Sequence, residues 1–388
     1  MCSLCYKESG IFVPTLKKMT AAIFAIYMHN DPEIRNLELK HKYPLYLLSE
    51  QNWEHLIKRK LPSSDYPIDV QNQIAAVMRP INFEILQWTN AHKDIFQDCF
   101  PKKIHICWKS EGTIDHLRTA DLLIKSQELS LETRFVLACQ YWTWEAILEF
   151  WKTLSASHQF DIFYDYTDVG TNPEQHLENV ARWIKVFQCK ISLDTPVSKV
   201  WSRMLVRSNV SIWSRAFDQL PFFYKQILLM RVFFIRVNIP LARICLSRMT
   251  PEEQIRMLQL YPYHVLRIYL FWPSQTSFSD AAATVKDTLS NRSFLYLIHI
   301  MICQKILLGW RDSDYADLLR RFWRESPERC REYVKGDAIF EILMAILEDK
   351  EFCSSLRRDV PQRYLIHKTT LFKNAIKCVN MSDAHKDD

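Results

Sequence analysis

Residues 240–273 read PLARICLSRMTPEEQIRMLQLYPYHVLRIYLFWP, and the prolines in this stretch decide the fold. Pro240, Pro251, Pro262 and Pro273 recur every 11 residues. Proline lacks a backbone N–H and its ring presets φ, so it suits the first turn of a helix and disrupts the interior. Thr250-Pro251-Glu252 adds a capping hydroxyl before the proline and an acid after it, where the helix dipole favours negative charge. Each interval holds about two and a half helical turns. The stretch therefore predicts a row of short helices. The same signature recurs at Asp31-Pro32-Glu33, Asn172-Pro173-Glu174 and Ser326-Pro327-Glu328.

Glycine usage agrees. The 388 residues contain five glycines, Gly10, Gly112, Gly170, Gly309 and Gly336, where average usage gives about 27. Glycine supplies the positive φ that tight hairpins, bulges and phosphate-cradling loops need. Many-stranded sheets and glycine-rich nucleotide loops are thereby disfavoured. Apolar residues make up 48% and charged residues 24% of the chain, enough for a sizeable core. The fold class expected is all-α: stacked helical hairpins, in an α-solenoid-like curved array.

Amphipathic spacing supports this. Leu177, Val180, Ile184 and Phe187 form one stripe, Val197, Val200, Trp201, Met204 and Leu205 a second, and Ile339, Phe340, Leu343, Ile346 and Leu347 a third. Leu131–Tyr141 and Trp144–Ser155 read as a helical hairpin, and residues 221–237 as a helix buried on most sides. A single 11-residue interval is shorter than the usual repeat of about 30–45 residues, but two pieces plus linkers make a helix-pair repeat. The organisation expected is a helical N-terminal region over residues 1–110, a helical-repeat-like region over 111–379 and a frayed tail over 380–388, with a soft boundary near Ser110–Thr113. Lys103–Trp108 (KIHICW) fits a short strand.

Eleven cysteines are spread without a dense framework, and Cys139, Cys189, Cys245 and Cys303 sit in apolar helical contexts. Buried thiols in a reducing compartment are expected. The N-terminal MCSLCYKESG does not read as a signal peptide, so none is expected. The longest apolar run, Phe294–Cys303, is interrupted by His299, closed by Gln304 and Lys305, and too short to span a bilayer. A soluble protein of the cytoplasm or nucleus is expected.

The strongest asymmetry is electrostatic. Between residues 199 and 248 stand nine basic residues: Lys199, Arg203, Arg207, Arg215, Lys225, Arg231, Arg236, Arg243 and Arg248. The only acid there is Asp218, so this segment is net +8 in a chain of net +6. Lys199, Arg203 and Arg207 are spaced i, i+4, i+8 and line one helix face, opposite Val197, Trp201 and Leu205. Such a ridge binds phosphates or an acidic protein surface, unless it is a solvated face that neutralises acids from neighbouring helices. A stacked helical array offers area and a side-chain lattice rather than a closed cavity. The first expectation is a non-enzymatic protein-interaction scaffold or adaptor whose partner carries an acidic segment. The second is a nucleic-acid-binding α-solenoid using the same ridge, with Trp213 or Tyr224 stacking on bases.

A third reading is a helical, Mg²⁺-dependent enzyme. In DIFYDYTD, Asp161, Asp165 and Asp168 offer hard oxygen ligands, and all-helical enzymes that ionise isoprenoid diphosphates hold Mg²⁺ on such helices. The resemblance is one of composition; the DDxxD pattern is absent and no second acidic motif faces it. HExxH, GxSxG, GxxxxGK[ST] and GxGxxG are absent as well. His92, Cys99, His105 and Cys107 place four soft ligands within 16 residues, but not at zinc-finger spacing, and Cys2 and Cys5 form a CxxC with no second pair nearby. Buried cysteine and surface histidine is the default there, and no metal or cofactor is expected. His299 reads as a satisfied core histidine. Finally, Thr15-Leu16-Lys17-Lys18-Met19-Thr20 resembles the start of the elongin-binding box of ubiquitin-ligase receptors, with Thr20 where the box usually carries Cys, and Leu61-Pro62 is a poor version of the downstream cullin box.

Overall fold

Three of the four regularly spaced prolines open α-helices, and the fourth opens a 3-10 turn. A computed structural model describes residues 15–41, 43–48, 51–61, 65–96, 105–167, 215–234 and 239–348, with residues 180, 181, 183, 184 and 187. It is all-helical over these residues: 17 α-helices and no strand. In chain order they are α1 (Leu16–His29), α2 (Pro32–His41), α3 (Gln51–Lys60), α4 (Ile68–Phe96), α5 (His116–Lys125), α6 (Leu131–Tyr141), α7 (Trp144–Thr153) and α8 (Ala156–Thr167). After residue 215 come α9 (Phe222–Phe234), α10 (Ile239–Ser247), α11 (Pro251–Leu260), α12 (Pro262–Tyr269), α13 (Phe278–Val285), α14 (Asn291–His299), α15 (Tyr315–Glu325), α16 (Glu328–Lys335) and α17 (Ile339–Glu348).

The caps that the sequence offers are used. Thr250 and Glu253 close a capping box on α11: the Glu253 amide donates to Thr250 Oγ1 at 3.3 Å and the Thr250 amide to Glu253 Oε2 at 3.0 Å. Ser130, Ser290 and Asp314 cap α6, α14 and α15 with a single bond, each side chain accepting from the amide three residues on. The α6–α7 hairpin forms as expected, turning through Trp142 in the left-handed region at φ 55°. KIHICW contributes no strand among the described residues. Trp108 makes one antiparallel bridge to Ile114, and the turn between them is closed by Gly112 at φ 79°.

Apolar packing forms two clusters. The first gathers Ala21, Ala25, Met28, Trp53, Ile57, Ile74, Met78 and Ile81 with Trp272. The second begins at Trp88, in the second half of α4, and runs through Phe135, Trp183, Leu229, Val265 and Phe294 to Ile346. From α10 onward each helix packs on the helix two places further along, through to α15 on α17. Val180 and Ile184 of the first predicted stripe are buried, as are Ile339, Leu343 and Ile346 of the third; the second lies outside the described residues. The helix expected at 221–237 is α9 over the described residues, and all but one of its side chains are buried or half-buried. Phe223 of α9 is 62% exposed while Lys225 is buried, because an acid on α11 receives the ammonium. Cys139, Cys245, Cys303 and Cys330 are buried cysteines outside any disulfide, and burial pushes the Cys139 and Cys245 thiols up. No described helix is long and apolar enough to cross a membrane.

Candidate functional site

The basic segment divides into residues with structural partners and residues outside the description. Lys199, Arg203, Arg207 and Arg236 lie outside the described residues, and of Arg215 only the backbone, in a 3-10 turn, is described. Arg231 lies on α9, half-buried. The remaining three meet carboxylates. Lys225 Nζ lies 2.9 Å from Glu253 Oε2 and 3.2 Å from Oε1, so the residue that closes the α11 capping box also neutralises α9. Arg243 Nη2 lies 2.9 Å from both oxygens of Glu84 on α4, and its Nη1 donates to the Trp272 carbonyl at 2.7 Å. Arg248 holds Asp218 through Nε at 2.7 Å and Nη2 at 3.0 Å, with its guanidinium 5.0 Å from the Phe217 ring centroid. These three pairs reach α11, α4 and the 215–219 turn respectively. The sequence could not have named Glu84 as a partner of Arg243, since 159 residues separate them.

The first tie between the N-terminal helices and the rest runs through this pair. Glu84 is 3% and Arg243 12% exposed at the side chain. Trp272 then carries the link onward, donating its indole N–H to the Glu111 carbonyl at 2.7 Å. His116, buried nearby, is held well below the usual histidine range by burial, and the charges of His92, Arg243 and Lys109 push the same way.

The metal readings fare unevenly. His92 is buried at 1% exposure, not at the surface as expected. Its Nδ1 lies 2.7 Å from the Trp88 carbonyl and therefore carries the proton. Its Nε2 lies 2.7 Å from the Tyr141 hydroxyl and accepts from it, so both ring nitrogens are engaged and no lone pair remains for zinc. Burial lowers its pKa to about 4. Cys99 lies outside the described residues, with Cys2 and Cys5; His105 is exposed and Cys107 sits in the bridge turn. Asp161 is exposed on α8, only the backbone of Asp165 is described, and Asp168 lies outside. Among the described residues no group of three or more His, Cys, Asp or Glu gathers at metal-binding distance. His299 does find an acid, Asp337 of the α17 entry, at 3.1 Å; burial nonetheless lowers its pKa.

A second polar cluster was missed at the level of sequence. A π-helical turn over Ile300–Ile306 continues α14, with the Leu307 amide donating to the Ile302 carbonyl at 2.8 Å. Such an inserted turn rotates the following side chains relative to a continuous α-helix. Lys305 ends in it, fully buried. Its Nζ lies 3.5 Å from the Trp310 ring centroid, 3.8 Å from Phe271 and 5.2 Å from Tyr315. No described group accepts a hydrogen bond from it. Asp312 stands close by, its Oδ2 accepting from Gln275 at 2.5 Å and lying 3.1 Å from the Tyr315 hydroxyl. Only a charged residue closing an apolar run, followed by aromatics at 310 and 315, hinted at this in the sequence.

On the outer face of α1, Leu16, Ile23 and Tyr27 are 79%, 62% and 72% exposed. They follow the Thr15 cap, whose hydroxyl accepts from the Lys18 amide at 3.3 Å. Leu61 is buried and Pro62 lies outside the described residues. Comparison with protein-family models, with curated proteins and with solved structures finds no match to this chain.

Proposed function

We propose that this chain is a non-enzymatic interaction scaffold that holds an acidic protein segment along a basic helical surface, on an α-solenoid-like stack of helix pairs. The observation that carries the reading is the accounting of charge over residues 199–248. Glu253, Glu84 and Asp218 take up Lys225, Arg243 and Arg248. Asp218, the only acid of residues 199–248, is taken up by Arg248, and the nearest acid before Lys199 is Asp194, so cations outnumber carboxylates around Lys199, Arg203 and Arg207. Spaced i, i+4, i+8, the three would present one sign of charge along about two turns of a helix. The succession of helices packing two places along supports the stacked array. The exposed apolar side chains of α1 are a further mark of a surface that meets protein.

Two features turn the reading from nucleic acid toward protein. The three cations paired with carboxylates point to three different elements rather than along one groove. Tyr224 is half-buried and packs on the core beside Phe223 instead of standing out as a stacking platform. Trp213 lies outside the described residues.

Reversing Lys199, Arg203 and Arg207 to glutamate is expected to weaken binding of an aspartate- and glutamate-rich peptide by about tenfold or more, with the fold intact by circular dichroism. Wild-type binding should also weaken with added salt, since exposed charges are screened beyond about 10 Å at 0.1 M. Fluorescence anisotropy of a labelled peptide reads both. Unchanged affinity in the triple variant would remove the ridge as the binding surface.

A further inference from the structure

The Lys305 cluster sits where two parts of the molecule meet. Trp310 and Phe271 touch Phe83 of α4 at ring-centroid distances of 6.4 and 5.5 Å, and Phe83 in turn meets Tyr46 at 5.5 Å. Arg79, one turn before Phe83 on α4, donates to the Leu48 carbonyl at 2.7 Å and lies 5.4 Å from the Trp53 ring centroid. A Cβ built on Gly309 would stand 3.7 Å from Arg79 Nη1, so α4 lies directly against the turn that follows the π-helix. On the other side Tyr315 lies 3.1 Å from the Leu270 carbonyl and accepts from Gln275 at 3.1 Å.

Asp312 has two carboxylate oxygens in different circumstances. Oδ2 is held by Gln275 and Tyr315, whereas Oδ1 is buried without a donor among the described residues. The Lys305 amine, also buried without an acceptor, is its neighbour of opposite charge. We propose that Lys305, Asp312 and the surrounding rings form a proton-operated joint between α4 and the helices after it, in which proton uptake on the Lys305 amine draws the Asp312 carboxylate off Gln275 and Tyr315 and repacks Trp310.

Proton bookkeeping is simple: one proton enters from water onto Nζ, and no covalent bond otherwise changes. The neutral amine fits an apolar cage, while the ammonium gains from the ring faces but requires an acceptor. Desolvation lowers the Lys305 pKa to about 7, Asp312 opposes that shift, and Arg79 adds to it. Burial raises Asp312, and Lys305 opposes that. Other elements facing the amine supply Arg79 from α4, Asp312 and Tyr315 from the turn into α15, and the uncharged Phe271 and Gln275 from the α12–α13 connection. An unfolded lysine titrates near 10.5. Between these two values the unfolded chain binds the extra proton, so stability rises with pH across that window, and the contribution is lost as pH falls toward 7.

The test is ¹⁹F NMR on the full chain labelled with 5-fluorotryptophan, with Trp310→Phe used only to assign the resonance. From about pH 5.5 to about 9, the Trp310 resonance should move with a one-proton transition. Lys305→Met should abolish that transition, and Asp312→Asn should lower its midpoint by about half a unit or more, because the carboxylate that favours the ammonium is gone. If Lys305→Met does not fold, the direction of the Asp312→Asn shift decides. A flat wild-type titration, a Lys305→Met resonance that titrates like wild type, or an Asp312→Asn midpoint that stays or rises each overturns the joint.

Discussion

Replacing Arg243 by alanine is expected to destabilise the protein by about 3–5 kcal/mol. The loss is large because the guanidinium serves two groups at once. It lies 2.9 Å from both oxygens of Glu84 and donates to the Trp272 carbonyl at 2.7 Å. Without it, a carboxylate exposed at only 3% of its surface is left in the interior with no countercharge. The effect separates from simple loss of volume by a second variant. Arg243→Met with Glu84→Leu removes both charges and keeps apolar bulk, and it should recover most of the loss, since a buried pair often breaks even against hydrophobic replacements. Denaturant titrations of the three proteins provide the check. A cost below about 1 kcal/mol for the single variant would mean that water or another cation reaches Glu84.

Gly112→Ala should be similarly severe, at about 2–5 kcal/mol, from two independent sources. The backbone there has φ 79°, which an L side chain rarely adopts. The added Cβ would also stand 2.8 Å from Ala22 Cβ and 3.1 Å from Ile81 Cδ1, at the seam where the bridge turn presses on α1 and α4. Ala22→Gly in the same chain should relieve the contact with the methyl but not the backbone strain, recovering part of the loss. Gly336 is the control. Its φ is −81° and its nearest neighbour to a new Cβ is 3.7 Å away. Gly336→Ala should therefore change stability by less than about 0.5 kcal/mol. Equal melting temperatures for the two alanine variants would show that the bridge turn yields more easily than its packing implies.

What was legible in the sequence was local. Pro251 and Pro262 announce α11 and α12 because a missing N–H costs nothing in a first turn. The hairpin of α6 and α7 follows from two amphipathic runs separated by a residue or two. What was hidden was pairing at a distance. Arg243 reads as one more member of a basic run, and only the fold brings Glu84 to it. His299 reads as a lone polar residue in an apolar helix, and its acid lies 38 residues on. Lys305 reads as the end of an apolar run, because periodicity does not reveal a π-helical turn that swings a terminal lysine inward. Charge runs thus overstate a surface until partners are known: three of nine cations here are structural.

The most direct test of the scaffold compares ligands of matched charge on one protein. Anisotropy titrations would use an aspartate- and glutamate-rich peptide, a single-stranded oligonucleotide and a duplex, each across a salt series. A scaffold for acidic protein binds the peptide most tightly at low salt, and the Lys199, Arg203 and Arg207 reversal removes that binding. Tighter binding of either oligonucleotide, with a steep salt slope that the reversal flattens, would instead make the ridge a phosphate-binding surface. No binding of the peptide even at low salt would contradict the acidic-partner scaffold outright.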